Sequence, residues 1–283
     1  MEIARTVDEL RLHSDAWRAL KRMIAIVPTM GALHEGHLSL IEEARRHADE
    51  VIVSIFVNPT QFAPGEDLDA YPRDPEGDLE KLRTAGADLA WMPPVGEMYP
   101  DGFATTVHVE GPAKAGLEDA FRPTHFDGVA TVVAKLFLQS GANVAVFGEK
   151  DYQQLLVVRR MARDLNIPVK VIGAPTLREP DGLAMSSRNA YLSQEERRKA
   201  PALWRALNAA AESILAGTPS EAAARSARDG LEAEGFEVDY LEARNADTLA
   251  PVSDPAAEPV RILGAARLGR TRLIDNIPLR KED

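Results

Sequence analysis

Two kinds of hydrophobic pattern alternate along the first part of the chain. Short apolar runs rich in β-branched residues are typical of buried strands, and apolar residues that recur every three or four positions are typical of amphipathic helices. Strands are predicted at residues 23–27, 51–57, 88–92, 143–147 and 169–172. Helices are predicted between them at residues 38–46, 75–84, 128–139 and 152–165. Because strands and helices alternate, the pattern predicts an α/β fold with a Rossmann-like, doubly wound parallel sheet.

The pattern changes at a stretch rich in proline and glycine, residues 173–182, which predicts a domain boundary near residue 174. Two alanine-rich, charged stretches at residues 194–216 and 220–234 predict a hairpin of two helices. Strands are then predicted at residues 236–243, 260–266 and 271–275. Because no helix lies between these strands, antiparallel pairing is favoured. The sequence therefore predicts a Rossmann-like domain at residues 1–173 and a second, smaller α+β domain at residues 174–283.

Composition narrows the classes of function. The chain has 283 residues and no cysteine, so disulfides are excluded. Its 33 Lys and Arg residues against 44 Asp and Glu residues give a net charge of -11, which repels a phosphate backbone and disfavours nucleic acid as a partner. The longest apolar runs fall far short of the roughly 20 residues that span a bilayer, so no membrane partner is expected. The first residues, MEIARTVDEL, lack the pattern of a secretory signal, and a cytoplasmic protein is expected.

The segment VPTMGALHEGHLSL, residues 27–40, leaves a predicted strand and enters a helix through a loop. In a parallel sheet this is the carboxyl end of a strand, where α/β proteins bind ligands. Gly31 and Gly36 permit close approach of the backbone, and His34 and His37 lie three residues apart at the start of the helix. A helix N-terminus and imidazole donors suit a phosphate group. The alternative is that the histidines only cap the helix, and zinc is disfavoured because no third ligand is near.

Amide side chains follow the next predicted strand, in the segment FVNPTQFAPGEDLDAYPRD at residues 56–74. Asn58 and Gln61 can recognise hydroxyl and carboxylate groups without introducing a charge. The alternative is ordinary turn chemistry. Further along, Asp78 with Glu76 can hold Mg2+ beside a polyphosphate. The alternative for these acidic residues is that they only complement the dipole of the helix that they begin.

A third strand-to-helix turn is FGEKDYQQL, residues 147–155. Gly148 permits a tight turn, Lys150 can reach phosphates, and Asp151 can accept a hydrogen bond from a ribose hydroxyl. Gln154 lies one turn further on. The alternative is a surface lysine beside an N-cap aspartate. Three polar turns on one edge of one sheet favour a ligand site over three separate turns.

The segment GLAMSSRN, residues 182–189, follows the predicted domain boundary. Ser186, Ser187 and Arg188 offer two hydroxyls and a guanidinium group, which suit the pyrophosphate that leaves a nucleotide. The alternative is a polar interdomain loop. The position of this loop favours a binding role, because a donor loop at a hinge can close over ATP that the first domain already holds.

Together these motifs resemble a known family. The HEGH turn at residues 34–37 and the MSSR loop at residues 185–188 are similar to the paired motifs of the adenylate-forming nucleotidyltransferase superfamily. Six motifs in order resemble the pantoate-beta-alanine ligase family: PTMGALHEGH, NPTQF, EDLDAYPR, RPTHFDGV, FGEKDYQQL and GLAMSSRN. They span residues 28–189, and the strands predicted near the C-terminus fit the smaller domain of that family.

The resemblance implies a homodimeric ligase of pantothenate biosynthesis. Such an enzyme joins D-pantoate to β-alanine through a pantoyl adenylate, uses ATP and Mg2+, and releases AMP and pyrophosphate. By this resemblance His34, His37, Lys150 and Arg188 are catalytic, with His37 as the candidate acid.

The same resemblance implies the binding residues. Gln61 and Gln154 would bind pantoate with Met30 beside them, and Asp78 would be the metal ligand. The implied ATP-binding residues are Met30, Gly31, Ala32, Leu33, His34, Glu35, Gly36, His37, Gly148, Glu149, Lys150, Asp151, Leu177, Met185, Ser186, Ser187 and Arg188.

Two other readings stay open at this point. One is a nucleotidyltransferase that adenylylates a phosphorylated coenzyme precursor. The neutral amides of Gln61 and Gln154 suit a non-phosphorylated acid better than a phosphorylated substrate, which would favour Arg or Lys at these positions. The other is a regulatory module that binds ATP without turnover and forms no AMP. A tRNA-binding synthetase fragment is disfavoured by the acidic charge balance.

Overall fold

The computed structural model describes residues 1–62 and 65–279. The chain divides into two units. The first comprises Met1–Ala113, Glu118–Glu149 and Gln154–Pro175, and the second comprises Lys114–Leu117, Lys150–Gln153 and the chain from Thr176 onward. The two domains predicted at residues 1–173 and 174–283, with separate tasks for each, stay a prediction.

A six-stranded parallel sheet forms the first unit. Its strands are β1 (Glu2–Ala4), β2 (Ile24–Thr29), β3 (Glu50–Ile55), β4 (Leu89–Trp91), β5 (Val144–Gly148) and β6 (Lys170–Ala174). The strand order is β1-β4-β3-β2-β5-β6, and all neighbours pair in parallel. The chain therefore runs outward from β2 to β4 and then returns to the other side of β2 with β5. This reversal is the doubly wound topology that the alternating pattern predicts, so the predicted fold class is confirmed.

Helices connect these strands. They are α1 (Val7–Ala19), α2 (Glu35–Arg45), α3 (Pro75–Thr84), α4 (Val95–Met98), α5 (Glu118–Phe121), α6 (His125–Ser140) and α7 (Tyr152–Asp164), with short 3-10 helices at Pro59–Gln61, Gly111–Lys114, Glu149–Asp151 and Ser187–Tyr191. Local chemistry sets several ends. Asp74 accepts a hydrogen bond from Gly77 at the start of α3, and α6 stops at Gly141, whose φ of 57° favours glycine. The strand β1 and the helix α1 were absent from the sequence-based prediction.

Both faces of the parallel sheet are buried, as expected for strands that helices cover on each side. On one face, Ala25 and Val27 of β2 and Val51 and Val53 of β3 share a hydrophobic cluster with Ile41 of α2. On the other, Ile24, Ile26 and Ile52 are fully buried. The alternation follows from the two-residue period of a strand. The central strands are therefore rigid supports for the loops at their carboxyl ends.

The second unit contains three antiparallel strands in the order β7-β8-β9. These are β7 (Glu237–Asn245), β8 (Val260–Leu268) and β9 (Thr271–Pro278), and three helices precede them, α8 (Gln194–Lys199), α9 (Ala202–Leu215) and α10 (Ser220–Ala233). The predicted single helix at residues 194–216 is wrong, because Pro201 has no N–H with which to continue α8 and instead occupies the N-cap position of α9. Leu203 and Leu207 of α9 pack into one core with Ile262 of β8. Among the described residues, no helix has the length and apolar character needed to cross a membrane.

Candidate active site

The candidate site lies at the carboxyl ends of the central parallel strands. Strand β2 pairs with β3 on one side and with β5 on the other. The chain reverses its direction of progression at this point, and open α/β sheets bind their ligands there. The loops that follow Thr29, Ile55 and Gly148 therefore leave one edge of the sheet. These are three of the loops in which the sequence predicts functional residues.

The loop between β2 and α2 has an unusual backbone that α3 holds in place. Gly31 has a φ of 80° and Ala32 a φ of 50°, both in the left-handed region. The carboxylate of Asp78 accepts hydrogen bonds from the N–H of Ala32 (2.9 Å) and of Leu33 (2.7 Å). Lys81 Nζ donates to the carbonyl oxygen of Leu33 (2.7 Å). Asp78 and Lys81 thus fix both polar groups of one residue immediately before the histidine pair.

The arrangement of Asp78 bears on the predicted metal site. Its side chain is 1% exposed, and each of its oxygens already accepts a backbone N–H. Glu76, the other carboxylate considered from the sequence, is exposed. Within residues 1–62 and 65–279, no group of three or more His, Asp or Glu side chains is placed to hold a metal ion. Both oxygens of Asp78 thus hold the loop backbone, an arrangement that disfavours the predicted role of this carboxylate as a Mg2+ ligand.

His34 and His37 form a reciprocal cap at the start of α2. The Nδ1 atom of His34 accepts from the N–H of Gly36 (3.1 Å), and the Nδ1 atom of His37 accepts from the N–H of His34 (3.3 Å). The ring centroids lie 4.1 Å apart. A backbone N–H can only donate, so Nδ1 carries no proton in either neutral ring and Nε2 carries it. The capping alternative is thus realised, and the same caps give both rings an Nε2–H donor.

Gln61 lies in the turn after β3, and its neighbours determine how its amide is oriented. Asn58 is 1% exposed and donates from Nδ2 to the carbonyl oxygen of Gly128 (3.2 Å), while its Oδ1 accepts from the N–H of Thr60 (3.3 Å). These two backbone groups have fixed roles, so they settle which end of the Asn58 amide is which. Asn58 Nδ2 also donates to Gln61 Oε1 (3.1 Å). Gln61 Oε1 is therefore the acceptor in this contact, and Nε2 is the donor end of the Gln61 amide.

Two further contacts complete this arrangement. Gln61 Nε2 lies 3.1 Å from the sulfur of Met30, so the structure brings together two residues that the family resemblance assigns to the acid substrate. The hydroxyl of Tyr99 donates to Asn58 Oδ1 (2.8 Å), and burial raises the pKa of Tyr99, which keeps it protonated. Residues 63 and 64 of this segment, Ala63 and Pro64, lie outside the described residues.

The turn after β5 is a short 3-10 helix, Glu149–Asp151, that continues into α7. Lys150 is paired with Asp151 (Nζ to Oδ2, 3.8 Å), and its carbonyl oxygen accepts from Asn276 Nδ2 (2.8 Å). The guanidinium of Arg261 donates in turn to Asn276 Oδ1 (2.6 Å). This chain of contacts lies within the second unit and fixes the backbone that carries Lys150. Gln154 is half-buried near the start of α7.

The MSSR loop begins with an antiparallel bridge between Arg178 and Ala184. The guanidinium of Arg178 makes a two-point ion pair with the buried carboxylate of Asp275 (2.6 and 2.9 Å). The N–H of Met185 donates to the carbonyl oxygen of Leu177 (3.0 Å), so two predicted nucleotide-binding residues are neighbours. Ser186 Oγ then accepts from the N–H of Arg188 (3.3 Å) and starts the 3-10 helix.

Sequence reasoning missed Lys81, Tyr99 and the structural task of Asp78. One signal for Lys81 was available, since residues three apart share a helix face and Lys81 follows Asp78 by three. The task of Asp78 had no comparable signal, because its partner Ala32 lies 46 positions away in sequence.

The parallel sheet, its reversal at β2 and the polar loops at that edge are typical of α/β proteins that bind a ligand at the point where the strand order reverses. A family model described as pantoate-beta-alanine ligase matches residues 2–278. The chain is 58% identical over 275 residues to a pantothenate synthetase of Bradyrhizobium sp., with 97% of each chain covered. The chain therefore belongs to the pantoate-beta-alanine ligase family.

Solved structures agree with this assignment. A pantothenate synthetase from Thermus thermophilus is 52% identical with a TM-score of 0.92, over 99% of this chain and 100% of that one. A pantoate-beta-alanine ligase from Francisella tularensis, complexed with beta-gamma ATP and beta-alanine, is 32% identical with a TM-score of 0.83, over 100% of this chain and 99% of that one.

Proposed function

We propose that the chain condenses D-pantoate with β-alanine in an ATP-dependent reaction that passes through a pantoyl adenylate and releases AMP and pyrophosphate. The observation that carries the proposal is the family match over residues 2–278. The similar ligase that was solved with beta-gamma ATP and beta-alanine supports ATP and β-alanine as substrates. The neutral amide of Gln61 beside Met30 suits an unphosphorylated acid.

The first step joins two anions. A carboxylate oxygen of pantoate bonds to the α-phosphorus of ATP, the bond to the β-phosphate oxygen breaks, and pyrophosphate leaves with that electron pair. Negative charge builds on the phosphate oxygens, so fixed donors lower the barrier. His34 and His37 supply Nε2–H donors, with His37 as the acid, and the family resemblance assigns Lys150 and Arg188 to the phosphates.

The second step uses the adenylate as an activated acid. The ammonium group of β-alanine loses a proton to become an amine, the amine attacks the acyl carbon and displaces AMP, and the new amide nitrogen gives up a second proton. No protein nucleophile is needed, because pantoyl adenylate already carries AMP as a good leaving group. Positioning of the reactants then supplies much of the rate, and exclusion of water protects the intermediate.

Gln61 and Gln154 bind the hydroxyl and carboxylate groups of pantoate in this proposal. The remaining nucleotide contacts are those that the resemblance implies, from the loop at residues 30–37, the turn at residues 148–151, Leu177 and the loop at residues 185–188. Mg2+ would accompany the ATP phosphates and neutralise part of their charge, and Asp78 is disfavoured as its ligand because both carboxylate oxygens already accept N–H groups from Ala32 and Leu33.

The experiment is direct. Purified protein is incubated with ATP, Mg2+, D-pantoate and β-alanine, and AMP and pantothenate are measured by mass spectrometry. We expect both products in equal amounts, and pyrophosphate release that requires pantoate. Pyrophosphate release that instead required a phosphorylated coenzyme precursor would favour a different nucleotidyltransferase. The proposal also includes a cytoplasmic homodimer, and light scattering of the purified protein measures its mass directly.

A further inference from the structure

The motif RPTHFDGV, residues 122–129, has no task in the proposed reaction, yet it contacts the pantoate-binding turn directly. Its histidine, His125, is 8% exposed and its Nδ1 atom lies 2.9 Å from the carbonyl oxygen of Gln61. Arg122 Nη2 donates to the same oxygen (3.2 Å). Two side chains of one motif therefore converge on the main chain of one substrate-binding residue.

The proton of His125 is located by its partners. The Gln61 carbonyl can only accept, so His125 Nδ1 carries the proton and donates it. Arg122 Nη1 lies 3.2 Å from His125 Nε2, and because a guanidinium can only donate, Nε2 is the acceptor. Burial and the charge of Arg122 lower the pKa of His125 to about 4, which keeps the ring neutral. One tautomer thus satisfies both contacts.

Arg122 is itself held. Its Nε and Nη2 atoms donate to the two carboxylate oxygens of Glu66 (2.7 and 2.8 Å), a paired geometry that fixes the plane of the guanidinium. Its side chain is 17% exposed. The group that donates to Gln61 therefore has little freedom to rotate.

The same motif also touches the turn through its backbone. A Cβ atom built on Gly128 would lie 2.4 Å from the carbonyl oxygen of Thr60 and 2.8 Å from the nitrogen of Gln61. Only glycine allows α6 to approach this closely. The carbonyl oxygen of Gly128 accepts from Asn58, which in turn donates to Gln61 Oε1. The start of α6 thus controls both the main chain of Gln61 and, through Asn58, its amide.

We propose that His125, together with Arg122, is a positioning residue that fixes the backbone of Gln61 so that its amide presents Nε2–H to an acceptor oxygen of the acid substrate. This inference rests on the proposed function. The inference implies a preference for the type of substrate group. Opposite Gln61 Nε2–H, a carboxylate or hydroxyl oxygen that accepts a hydrogen bond is favoured, and a group that only donates is disfavoured. His125 itself touches no substrate atom.

The test compares two amide variants of His125. In His125→Asn the side-chain nitrogen can take the place of imidazole Nδ1, whereas in His125→Gln it reaches the place of Nε2. Pantoate-dependent pyrophosphate release is measured against pantoate and against ATP, with His47→Ala as an exposed-histidine control and thermal midpoints for folding. We expect the pantoate KM to rise about tenfold in His125→Gln, the scale of one hydrogen bond, and to stay within about threefold of wild type in His125→Asn. The ATP KM should change by less than about twofold in both.

A double variant separates positioning from general loss of structure. Once Gln61→Ala has removed the amide, His125→Gln should raise the pantoate KM by less than about twofold further. An undiminished further rise, or equal pantoate KM values for His125→Asn and His125→Gln, would overturn the inference. A wild-type protein without pantoate-dependent pyrophosphate release would instead overturn the proposed function, so the two failures are distinguishable.

Discussion

The Nδ1 atom of His37 accepts the backbone N–H of His34 at 3.3 Å, and this contact determines which nitrogen of the neutral ring carries the proton. Since Nδ1 is committed to the cap, the proton of the neutral His37 ring is on Nε2. A helix N-terminus also presents positive potential, which favours phosphate. Capping is therefore compatible with the catalytic task predicted for His37, because the two tasks use different nitrogens of the imidazole.

Substitution of His37 tests this division. We expect His37→Ala to lose at least about a hundredfold in the rate of adenylation, the scale for removing a well-placed transition-state donor. His37→Asn should lose as much, because its amide oxygen can keep the cap while the Nε2–H donor is absent. Rapid-quench measurement of pyrophosphate gives the rate, with His47→Ala as the control. Near-normal adenylation by His37→Asn would mean that capping is the only task of this ring.

Substitution of Gln61 or Gln154 should affect pantoate and spare ATP. Amides recognise hydroxyl and carboxylate groups, whereas His, Lys and Arg side chains suit the phosphates. We expect Gln61→Ala and Gln154→Ala each to weaken pantoate use about tenfold or more. Calorimetry of ATP binding and the pantoate KM are the measurements, with exposed Gln194→Ala as the control. Weakened ATP binding with unchanged pantoate use would reverse the assignment.

Asp78→Asn should disturb the loop and leave the magnesium requirement alone. The amide retains one acceptor oxygen but turns an NH2 group toward a backbone N–H, so one of the contacts to Ala32 and Leu33 becomes repulsive. We expect a loss of about 2 kcal/mol in the free energy of unfolding, measured in urea. The Mg2+ concentration for half-maximal activity should match that of wild type.

The matched control for Asp78 is Glu76→Gln, which removes the same charge from the exposed side of the same helix turn. Glu76→Gln should change the free energy of unfolding by no more than about 0.5 kcal/mol and leave the activity unchanged. A tenfold rise in the magnesium requirement of Asp78→Asn alone would restore Asp78 as a metal ligand.

Stability should depend on pH through His125. Its pKa is lowered from 6.5 to about 4 in the folded protein, chiefly by burial. The unfolded chain therefore binds this proton more readily, and the contribution to stability is fully present above about pH 6.5 and is lost as the pH falls toward 4. The full shift corresponds to about 3 kcal/mol. Urea unfolding between these pH values should show wild type losing more stability than His125→Asn, and parallel losses would contradict the lowered pKa.

The sequence predicts the parallel sheet well because strands buried on both faces read as continuous apolar runs, as in residues 51–57. It fails for β1, which at three residues is too short to show a period. It also places the start of α2 at Leu38 instead of Glu35, because His34 is not among the usual N-cap residues.

Candidate site residues on loops can be predicted from the sequence, because glycine, histidine and amide side chains at strand ends have few structural reasons to cluster. The contacts that orient these residues cannot be predicted in this way. Asp78 reaches Ala32 across 46 positions and His125 reaches Gln61 across 64. Such contacts follow from the packing of α3 and α6 on the sheet, which local pattern does not contain. For the same reason the sequence predicts a metal ligand at Asp78 and contains no sign of its contacts with the loop backbone.

The order of the two half-reactions gives the sharpest test of Arg188. Pantoate is an ionised nucleophile at neutral pH, whereas β-alanine carries an ammonium group that must first lose a proton, so the adenylate should form without β-alanine. Charge builds on the leaving pyrophosphate only in this first step, and a guanidinium stabilises it there. In rapid quench, Arg188→Ala should slow adenylate formation about a hundredfold. Amide formation from chemically supplied pantoyl adenylate should change far less, since AMP then leaves a carbonyl carbon.

Arg197→Ala, which loses an exposed ion pair with Asp181, is the matched control. Equal damage to both steps would mean that Arg188 supports the loop as a whole, and a wild-type enzyme that forms no adenylate without β-alanine would refute the two-step order.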